Sequence, residues 1–457
     1  FGLRFKLVII LLFAINVVSC VDFVDIEPPE TELITESVFQ LDKTALGTII
    51  EIYGQMAEGS FCSARQFSVS LSTSLSSDDY DFYNDPSFGG NAELLYTNSL
   101  IPENATIASL WSEPYQFIFK ANSIIEGVNV SNTLSQDVKN QLEGEAKFIR
   151  AFFHFYLVNL FGDVPLVLTT NYQENNSIER APTAQVYDKI IADLLDAQNL
   201  LPVDFSRDGG ERVRPIQATA TALLARTYLY VGDWENAEIQ ATSIINNTSL
   251  FSLEASLDNI FLSNSSEAIW QLNGVGNNTG GSQFILSSAP TRVALTEYLV
   301  YAFENNDNRR TDWVGSYTDG TNTWYYPYKY RYNLNDPPQE HFMVFRLAEQ
   351  YLIRAEARTL QNNITGAQAD LNMIRNRAGL LNTTASTQTN LLDAIMQERQ
   401  VELFTEWGHR WLDLKRTNRV DNILGAIKPN WEATDALYPI PQVQIDNNPN
   451  TTQNAGY

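Results

Sequence analysis

The 457-residue sequence predicts an all-α protein whose long helices pack as hairpins, with a few short strands. Residues 143–161 form an apolar stretch of helical length that stops at a glycine. Residues 183–201 repeat apolar side chains every three or four positions, and residues 224–244 combine large and small side chains in the spacing of a helical hairpin. The chain is long enough for one large domain or for two or three of ordinary size.

The composition is that of a folded, acidic protein. Hydrophobic residues make up 44% and charged residues 18% of the chain, as in globular domains. With 54 acidic and 30 basic side chains the formal charge is −24, which would repel the phosphates of a nucleic acid. We therefore exclude nucleic acid as a partner and interpret the charge as a solvated surface. Calcium, or another partner suited to acidic groups, is the alternative.

The first 19 residues have the features of a signal peptide. Two basic residues precede an apolar run from Leu7 to Val18, which is too short to span a bilayer. Ser19 stands directly before Cys20, as a small residue does in a bacterial lipobox, where the cysteine is acylated and becomes the mature N-terminus. We predict that acylated Cys20 holds the protein on a membrane. An ordinary signal peptide with a coincidental cysteine is the alternative.

Residues 20–31 are predicted to form an extended acidic tether behind this anchor. They contain four acidic residues and the pair Pro28-Pro29. If Cys20 is acylated, Cys62 is the only remaining thiol, so no disulfide can form within the chain. The core alone must then stabilise the fold.

Two helices can be bounded from the sequence. The stretch from Glu143 to Phe161 is apolar on most sides and ends at Gly162, so it should be a buried helix. A second, amphipathic helix should begin at Thr183, which follows a proline, and end before Pro202.

Two stretches match a 34-residue helical hairpin repeat of the tetratricopeptide type. In the first, Tyr228 precedes Ala237 by nine positions, and Ala225 and Ala237 are small enough for two helices to approach closely. A looser copy has Ala355 and Ala367 on either side of a turn at residues 363–366. Such hairpins stack because one alone cannot bury its apolar face. Two ordinary helical hairpins are the alternative.

Several motifs, in order along the chain, resemble those of the SusD/RagB outer-membrane lipoproteins of the Bacteroidota. They are Gly144-Glu145-Ala146-Lys147-Phe148-Ile149-Arg150-Ala151-Phe152, Leu160-Phe161-Gly162-Asp163-Val164-Pro165-Leu166, Phe345-Arg346-Leu347-Ala348-Glu349, Tyr351-Leu352-Ile353-Arg354-Ala355-Glu356-Ala357, Glu398-Arg399-Gln400-Val401-Glu402-Leu403, Gly408-His409-Arg410-Trp411-Leu412-Asp413-Leu414-Lys415-Arg416 and Leu437-Tyr438-Pro439-Ile440-Pro441. Together they extend over nearly the whole mature chain.

The resemblance implies a fold, a place and a partner. It implies four tetratricopeptide-like units as a scaffold and a face of variable loops that binds ligand at the outer surface of the outer membrane. It also implies a SusC-like TonB-dependent transporter as the partner. We divide the chain accordingly into the signal peptide (1–19), the lipidated cysteine and tether (20–31), a SusD-like N-terminal region (32–250) and a RagB/SusD C-terminal region (251–457).

The family motifs themselves are better explained by packing than by ligand binding. Phe404, Trp407, Trp411 and Leu414 recur at helical spacing and are predicted to be core. The charged residues around them are interpreted as helix-surface pairs or buried ion pairs. These are Glu398, Glu402, Arg410, Asp413 and Arg416.

The sequence contains no recognisable catalytic, metal or cofactor site. None of its histidines, His154, His341 and His409, lies in a known nucleophile, zinc or phosphate-loop motif, and His154 is expected to be a core residue. The acidic residues at 78–85 lack the glycine and distal glutamate of a calcium loop. Paired carboxylates for glycoside hydrolysis cannot be recognised from sequence, because they can come from anywhere in a chain. We predict a protein without enzymatic activity and without a cofactor.

Residues 313–332 combine two tryptophans and six tyrosines with the turn-forming residues Thr318 to Asn322. A sugar ring has apolar faces and a rim of hydroxyls, so a glycan site needs flat aromatic rings beside amides or carboxylates. We expect Trp313, Tyr317 and Trp324 to be ligand platforms, and the alternating tyrosines at 326–332 to be packing residues of a short strand.

Two further patches are candidates for the same role. One contains Tyr80, Phe82 and Tyr83 beside Asp79 and Asn84, and the other is the loop from Gly274 to Gly281, with Asn277, followed by Phe284. The preferred hypothesis is a glycan-binding lipoprotein that delivers its ligand to the transporter. Capture of oligopeptides by the same scaffold and glycosidase activity are the alternatives.

Overall fold

The computed structural model describes residues 35–457 apart from residues 66, 84–88, 275–280 and 334. Over these residues the chain is mainly helical with a few short strands, which confirms the predicted class. The predictions for the signal peptide, Cys20, the acidic tether, Asn84 and Asn277 lie outside the described residues.

The helices of the described residues are α1 (Thr35–Val38), α2 (Asp42–Glu58), α3 (Val69–Ser76), α4 (Gly89–Tyr96), α5 (Ala105–Val130), α6 (Gln136–Phe161), α7 (Tyr172–Asn175), α8 (Thr183–Leu200), α9 (Gln217–Val231), α10 (Trp234–Ile245), α11 (Glu297–Ala302), α12 (Asn308–Asp312), α13 (Leu347–Leu360), α14 (Ile364–Arg377), α15 (Gln388–Leu403), α16 (His409–Arg416), α17 (Val420–Ile427) and α18 (Gln442–Asn447). The strands are β1 (Tyr80–Phe82), β2 (Val164–Pro165), β3 (Arg180–Ala181), β4 (Ala268–Leu272), β5 (Val293–Leu295), β6 (Val314–Thr318), β7 (Thr323–Pro327) and β8 (Phe342–Arg346).

The long helices pack side by side in a continuous layer. α5 packs on α6, α6 on α8, α8 on α9, α9 on α10 and α10 on α13, which contacts α14 and α15. The two helices bounded from the sequence are both present: α6 ends before Gly162, whose φ of +75° suits glycine, and α8 begins at Thr183. The predicted start of α6 at Glu143 was wrong, because the helix begins at Gln136. Phe148, Phe152 and Phe155 of α6 are completely buried, as its apolar character predicts.

Both predicted hairpins are present and they contact each other. α9 and α10 are joined by a turn at Gly232, which has a φ of +81°, and α13 and α14 by a turn at Asn362, which has a φ of +64°. The small residues Ala225, Ala237, Ala355 and Ala367 are fully buried between the helices. Because α10 packs on α13, the two hairpins stack and bury the faces that each alone would expose.

The C-terminal motifs form the core and its ion pairs. Phe404, Trp407, Trp411 and Leu414 are each at most 1% exposed, so their interpretation as core is confirmed. Glu402 is also buried and contacts the guanidinium groups of Arg309, Arg346 and Arg377. The charged residues of these motifs therefore pair inside the protein, where an unpaired charge would be strongly destabilising.

A four-stranded sheet with the order β1-β5-β7-β6 joins the two halves of the chain. β1 pairs with β5 antiparallel, with Tyr80 opposite Leu295, and β5 pairs with β7 through Leu295 and Tyr325. β6 and β7 form a hairpin. The predicted strand at residues 326–332 is displaced: β7 ends at Pro327, and Lys329 beyond it turns into the core to donate hydrogen bonds to the carbonyls of Glu402 and Phe404.

Candidate functional site

The β6–β7 hairpin presents aromatic rings beside a polar turn. Asp319 accepts hydrogen bonds from the backbone N–H groups of Thr321 and Asn322, both at 2.8 Å. Gly320 adopts a φ of +95°, which a side chain would disfavour. The turn is therefore held by its own side chains, and the hairpin continues outward from the sheet to an exposed tip.

Four rings lie along one face of this hairpin. Tyr317 and Trp324 are opposite each other, and Tyr326 lies over Gly315, where a Cβ atom would be only 2.2 Å from its ring. The Tyr326 and Tyr328 rings meet edge to face with centroids 6.0 Å apart. We call Tyr317, Trp324, Tyr326 and Tyr328 the aromatic ladder. All four are half-buried, so each is partly accessible. Tyr326 and Tyr328 were expected to be packing residues, but of the alternating tyrosines only Tyr330 is buried.

Trp313 is not part of this surface, contrary to the expectation from the sequence. It is completely buried, its indole N–H donates a hydrogen bond to the carbonyl of Leu257, and its ring packs against Phe261. Lys329 Nζ lies 4.9 Å from the centre of the ring. Trp313 precedes β6 on the core side of the sheet, so it has no face left for a ligand.

The predicted patch at residues 79–83 also contains both core residues and surface residues. Tyr80 is 2% exposed and packs against Phe284, which is itself 6% exposed, so these two predicted platforms are core residues. Phe82 and Tyr83 are half-buried at the surface. Burial and the negative charge of Asp81 raise the pKa of Tyr83, whereas a hydrogen bond with Trp324 lowers it again. Tyr83 therefore lies beside the aromatic ladder.

Asp79 is also buried and does not face a ligand. Its carboxylate accepts hydrogen bonds from the Ser74 hydroxyl at 3.1 Å and from the backbone N–H of Thr405 at 3.4 Å, while the other oxygen has no partner among the described residues. Burial, reinforced by the charge of Asp78, raises the pKa of Asp79 to about 7. A polar residue in an aromatic surface patch was expected, but Asp79 directly precedes β1 and its side chain lies in the core beside Ser74 and Thr405.

Two exposed tyrosines that the sequence did not single out lie at the same end of the sheet. β5 leads into α11, and the register of Leu295 with Tyr325 places the start of α11 level with Trp324. Tyr298 and Tyr301 of α11 are 60% and 74% exposed. They line a cleft of about 640 Å³, which we call the tyrosine cleft. Its other lining residues are Asp78, Glu297, Ala302, Gln397, Gln400, Arg410 and Ile423.

The comparisons with known proteins identify the family. Residues 22–229 match a model described as SusD-like, starch-binding and associating with the outer membrane, and residues 277–457 match the SusD family model. Together these matches cover most of the chain. The chain belongs to the SusD family.

Related proteins align with this SusD-family chain over nearly its full length. SusD-like protein P2 of Formosa agariphila is 28% identical, and the alignment covers 99% of this chain and 100% of that protein. A crystal structure of a SusD superfamily protein from Bacteroides vulgatus superposes with a TM-score of 0.81 at 21% identity, over 92% of this chain and 99% of the other. A laminarin-binding SusD-like protein superposes with a TM-score of 0.78 at 26% identity, over 91% and 99%.

Elsewhere in this SusD-family protein the three histidines lie in the core. His154 is buried, its Nδ1 lies 2.9 Å from the carbonyl oxygen of Arg150, and burial lowers its pKa to about 4. His341 and His409 are also buried. Within the part of the chain that the structure describes, no group of three or more acidic, histidine or cysteine residues is arranged to hold a metal ion. No described helix is long and apolar enough to cross a membrane.

Proposed function

We propose that this SusD-family protein captures a glycan at the surface of the outer membrane and passes it to a SusC-like TonB-dependent transporter. The observation that carries the proposal is the aromatic ladder on the exposed β6–β7 hairpin, together with the tyrosine cleft at α11, which follows β5 of the same sheet. Partly exposed rings can stack on the apolar faces of sugars, and the carboxylates and amides of the cleft can bind the hydroxyls.

Similarity to glycan-binding proteins supports the ligand class. One structural neighbour over nearly its full length is named as laminarin-binding, and the model matched by the N-terminal half is described as starch-binding. The proposed role is binding, because the exposed surface at the ladder offers platforms and hydrogen-bonding groups, and the described histidines are buried in the core.

Two further elements of the proposal concern position. We infer that acylated Cys20 anchors the protein in the outer membrane, and that residues 21–31 link this anchor to the helical body. A lipid-anchored binding protein cannot itself move a ligand across a membrane, so a transporter must supply the pore.

Binding screens on the purified mature chain test the ligand class. Neutral and charged polysaccharides, their oligosaccharides and oligopeptide mixtures are compared by affinity electrophoresis and calorimetry, and the products are analysed by chromatography after long incubation. We expect glycan binding with no change in chain length. Binding of peptides only, or release of shorter sugars, would contradict the proposal.

Affinity purification from gently solubilised native outer membranes tests the partner. We expect a TonB-dependent transporter barrel of about 22 strands to copurify, and deletion of the lipoprotein to impair growth on the ligand. Recovery of the lipoprotein alone, together with unimpaired growth, argues against delivery to a transporter.

A further inference from the structure

We propose that residues 21–34, which we call the N-terminal segment, dock in a surface groove between α2 and α5. These residues directly precede the part of the chain that the structure describes. Docking would hold the lipid anchor against this side of the body. The docking itself does not depend on the bound ligand, and only its consequence for the anchor rests on the proposed function.

The groove consists of two adjoining cavities that share Phe39. One end has a volume of about 210 Å³ and we call it the apolar end. Its apolar side chains are Val38, Phe39, Ile52, Phe119 and Ile124. The other end has a volume of about 440 Å³ and is lined by the hydroxyl and amide side chains of residues 131–133 and by Val130.

Two apolar side chains of the groove are widely open to solvent. Phe119 is 49% exposed and Val130 is 74% exposed. They lie on one side of α5 with Ser123 between them, and the distance between their positions along the helix axis is about 16 Å. An extended chain of about five residues has the same length. The groove therefore has the dimensions of a site for an extended peptide segment.

The start of the described chain is fixed at this groove. The Phe39 ring packs on Gly127, where a Cβ atom would be 2.3 Å from the ring. Ser131 Oγ donates a hydrogen bond to the carbonyl of Phe39 at 2.7 Å, and Thr44 Oγ1 donates one to the carbonyl of Val38 at 2.6 Å. The N-terminal segment leads directly into this point through α1. Such an attachment gives a millimolar effective concentration, so a weak apolar contact is enough for docking.

The composition of the N-terminal segment suits an apolar groove. Four of its first six residues are apolar, and these are Val21, Phe23, Val24 and Ile26. A tether that only spans a distance does not need such side chains, and their exposure to water is unfavourable. The pair Pro28-Pro29 favours an extended backbone and cannot continue a helix. An extended segment with a large aromatic ring therefore fits the shape and the chemistry of the groove.

The charges that line the apolar end are balanced. Lys120 and Glu51 both line it. Lys120 Nζ donates a hydrogen bond to the side chain of Gln55, which itself donates one to the carboxylate of Glu51 at 2.6 Å. The acidic side chains of the segment thus meet one base and one acid. Apolar contact, above all by the ring of Phe23, is what selects this occupant.

The chain is long enough for this arrangement. Residues 28–34 can span up to about 24 Å between a docked segment and α1, which exceeds the length of the groove. If the whole N-terminal segment were free, its 14 residues would let the anchor lie up to about 50 Å from α1. Docking shortens this reach and holds the groove side of the body toward the membrane.

A photoreactive side chain identifies what occupies the groove. Phe23 is replaced by benzoylphenylalanine, which keeps an aromatic ring at this position, and the cross-linked peptides are identified by mass spectrometry. The experiment uses the full mature chain, both purified and in native membranes. We expect cross-links within one chain, to α2 or to α5 between Phe119 and Val130.

Cleavage by thermolysin measures how much of the segment is docked. The protease cuts before apolar residues such as Ile26, and the rate follows the undocked fraction. Phe119→Asp and Phe23→Ser should each accelerate this cleavage by about tenfold or more. Because Phe23→Ser lies outside the helical body, it keeps the test valid if Phe119→Asp disturbs the fold. Leu381→Asp is the matched control, since Leu381 is 86% exposed after α14, and its cleavage should be as slow as in the wild type.

Several results would overturn the inference. Cross-links only between two chains, to a transporter or to lipid would show that a different occupant covers Phe23, and the absence of a cross-link to the groove would show that the segment does not dock there. Wild-type cleavage as fast as in Phe23→Ser would mean the same. Neither measurement uses a glycan, so these results leave the proposed binding function standing, and a failure to bind glycans leaves the docking standing.

Discussion

Tyr317 and Trp324 lie opposite each other on β6 and β7, with ring centroids 6.2 Å apart and ring planes inclined by 21°. This pair is the flattest part of the aromatic ladder and lies next to the exposed turn. Its position on two paired strands keeps the rings aligned without a ligand, so binding does not have to order them first.

We expect Trp324→Ala to weaken glycan binding by about tenfold or more, since stacking on an aromatic ring is worth roughly 1–3 kcal/mol in comparable sites. Because the ring is only half-buried, the melting temperature should change little. Trp234→Ala is the matched control: Trp234 is 38% exposed at the start of α10, away from the sheet, and its loss should not affect binding. If the two variants bind the glycan with equal affinity, Trp324 does not contact the ligand.

Trp313→Ala should destabilise the folded protein. The ring is completely buried and its N–H is hydrogen-bonded to Leu257, so the truncation leaves a cavity and an unpaired carbonyl. We expect a loss of about 3–5 kcal/mol in the free energy of unfolding, measured by urea denaturation. Full stability with weakened glycan binding would instead show that the ring faces the ligand.

Asp79→Asn should stabilise the protein in a pH-dependent way. The folded-state pKa of Asp79 is about 7, compared with an ordinary value of 3.8, so between these values the folded state binds more protons than the unfolded state. The contribution of Asp79 to the free energy of unfolding therefore falls as the pH rises through this interval. Asparagine does not ionise in this range, so its contribution to the free energy of unfolding does not change with pH. Its amide can take the place of the protonated carboxyl group.

Denaturation of both proteins at about pH 4 and pH 8 measures this effect. The advantage of Asp79→Asn should be small at the lower pH and should grow to at most about 4 kcal/mol at the higher pH. A difference that is the same at both pH values would mean that Asp79 ionises at its ordinary pKa.

Cys20→Ala should release the protein from the membrane fraction. The cysteine follows an apolar segment and a small residue, which is the pattern of an acylated lipoprotein cysteine. Without acyl chains the mature chain has no strong attachment to lipid. Fractionation of cells that express the two forms, with metabolic labelling by a fatty acid, gives the readout. An unchanged membrane-bound fraction would refute lipid anchoring through Cys20.

Local patterns in the sequence were sufficient to predict the helical scaffold. The apolar surface of α6, the start of α8 after Pro182 and the small residues at 225, 237, 355 and 367 act over one or two turns, so their consequences can be read from spacing alone. The burial of Trp407 and Trp411 was also predicted from helical spacing, but only Trp411 lies on a helix: Trp407 is in the turn between α15 and α16, with a φ of +46°.

Which aromatic residues are accessible was decided by the tertiary structure. The sequence placed Trp313 and Trp324 in one aromatic segment, but the first precedes β6 on the core side and the second stands on the outer hairpin. Likewise it could not show that Tyr83 meets Trp324, more than two hundred positions away, through the pairing of β1, β5 and β7. Exposure and long-range strand pairing depend on what the rest of the chain covers, and spacing within one segment carries no information about that.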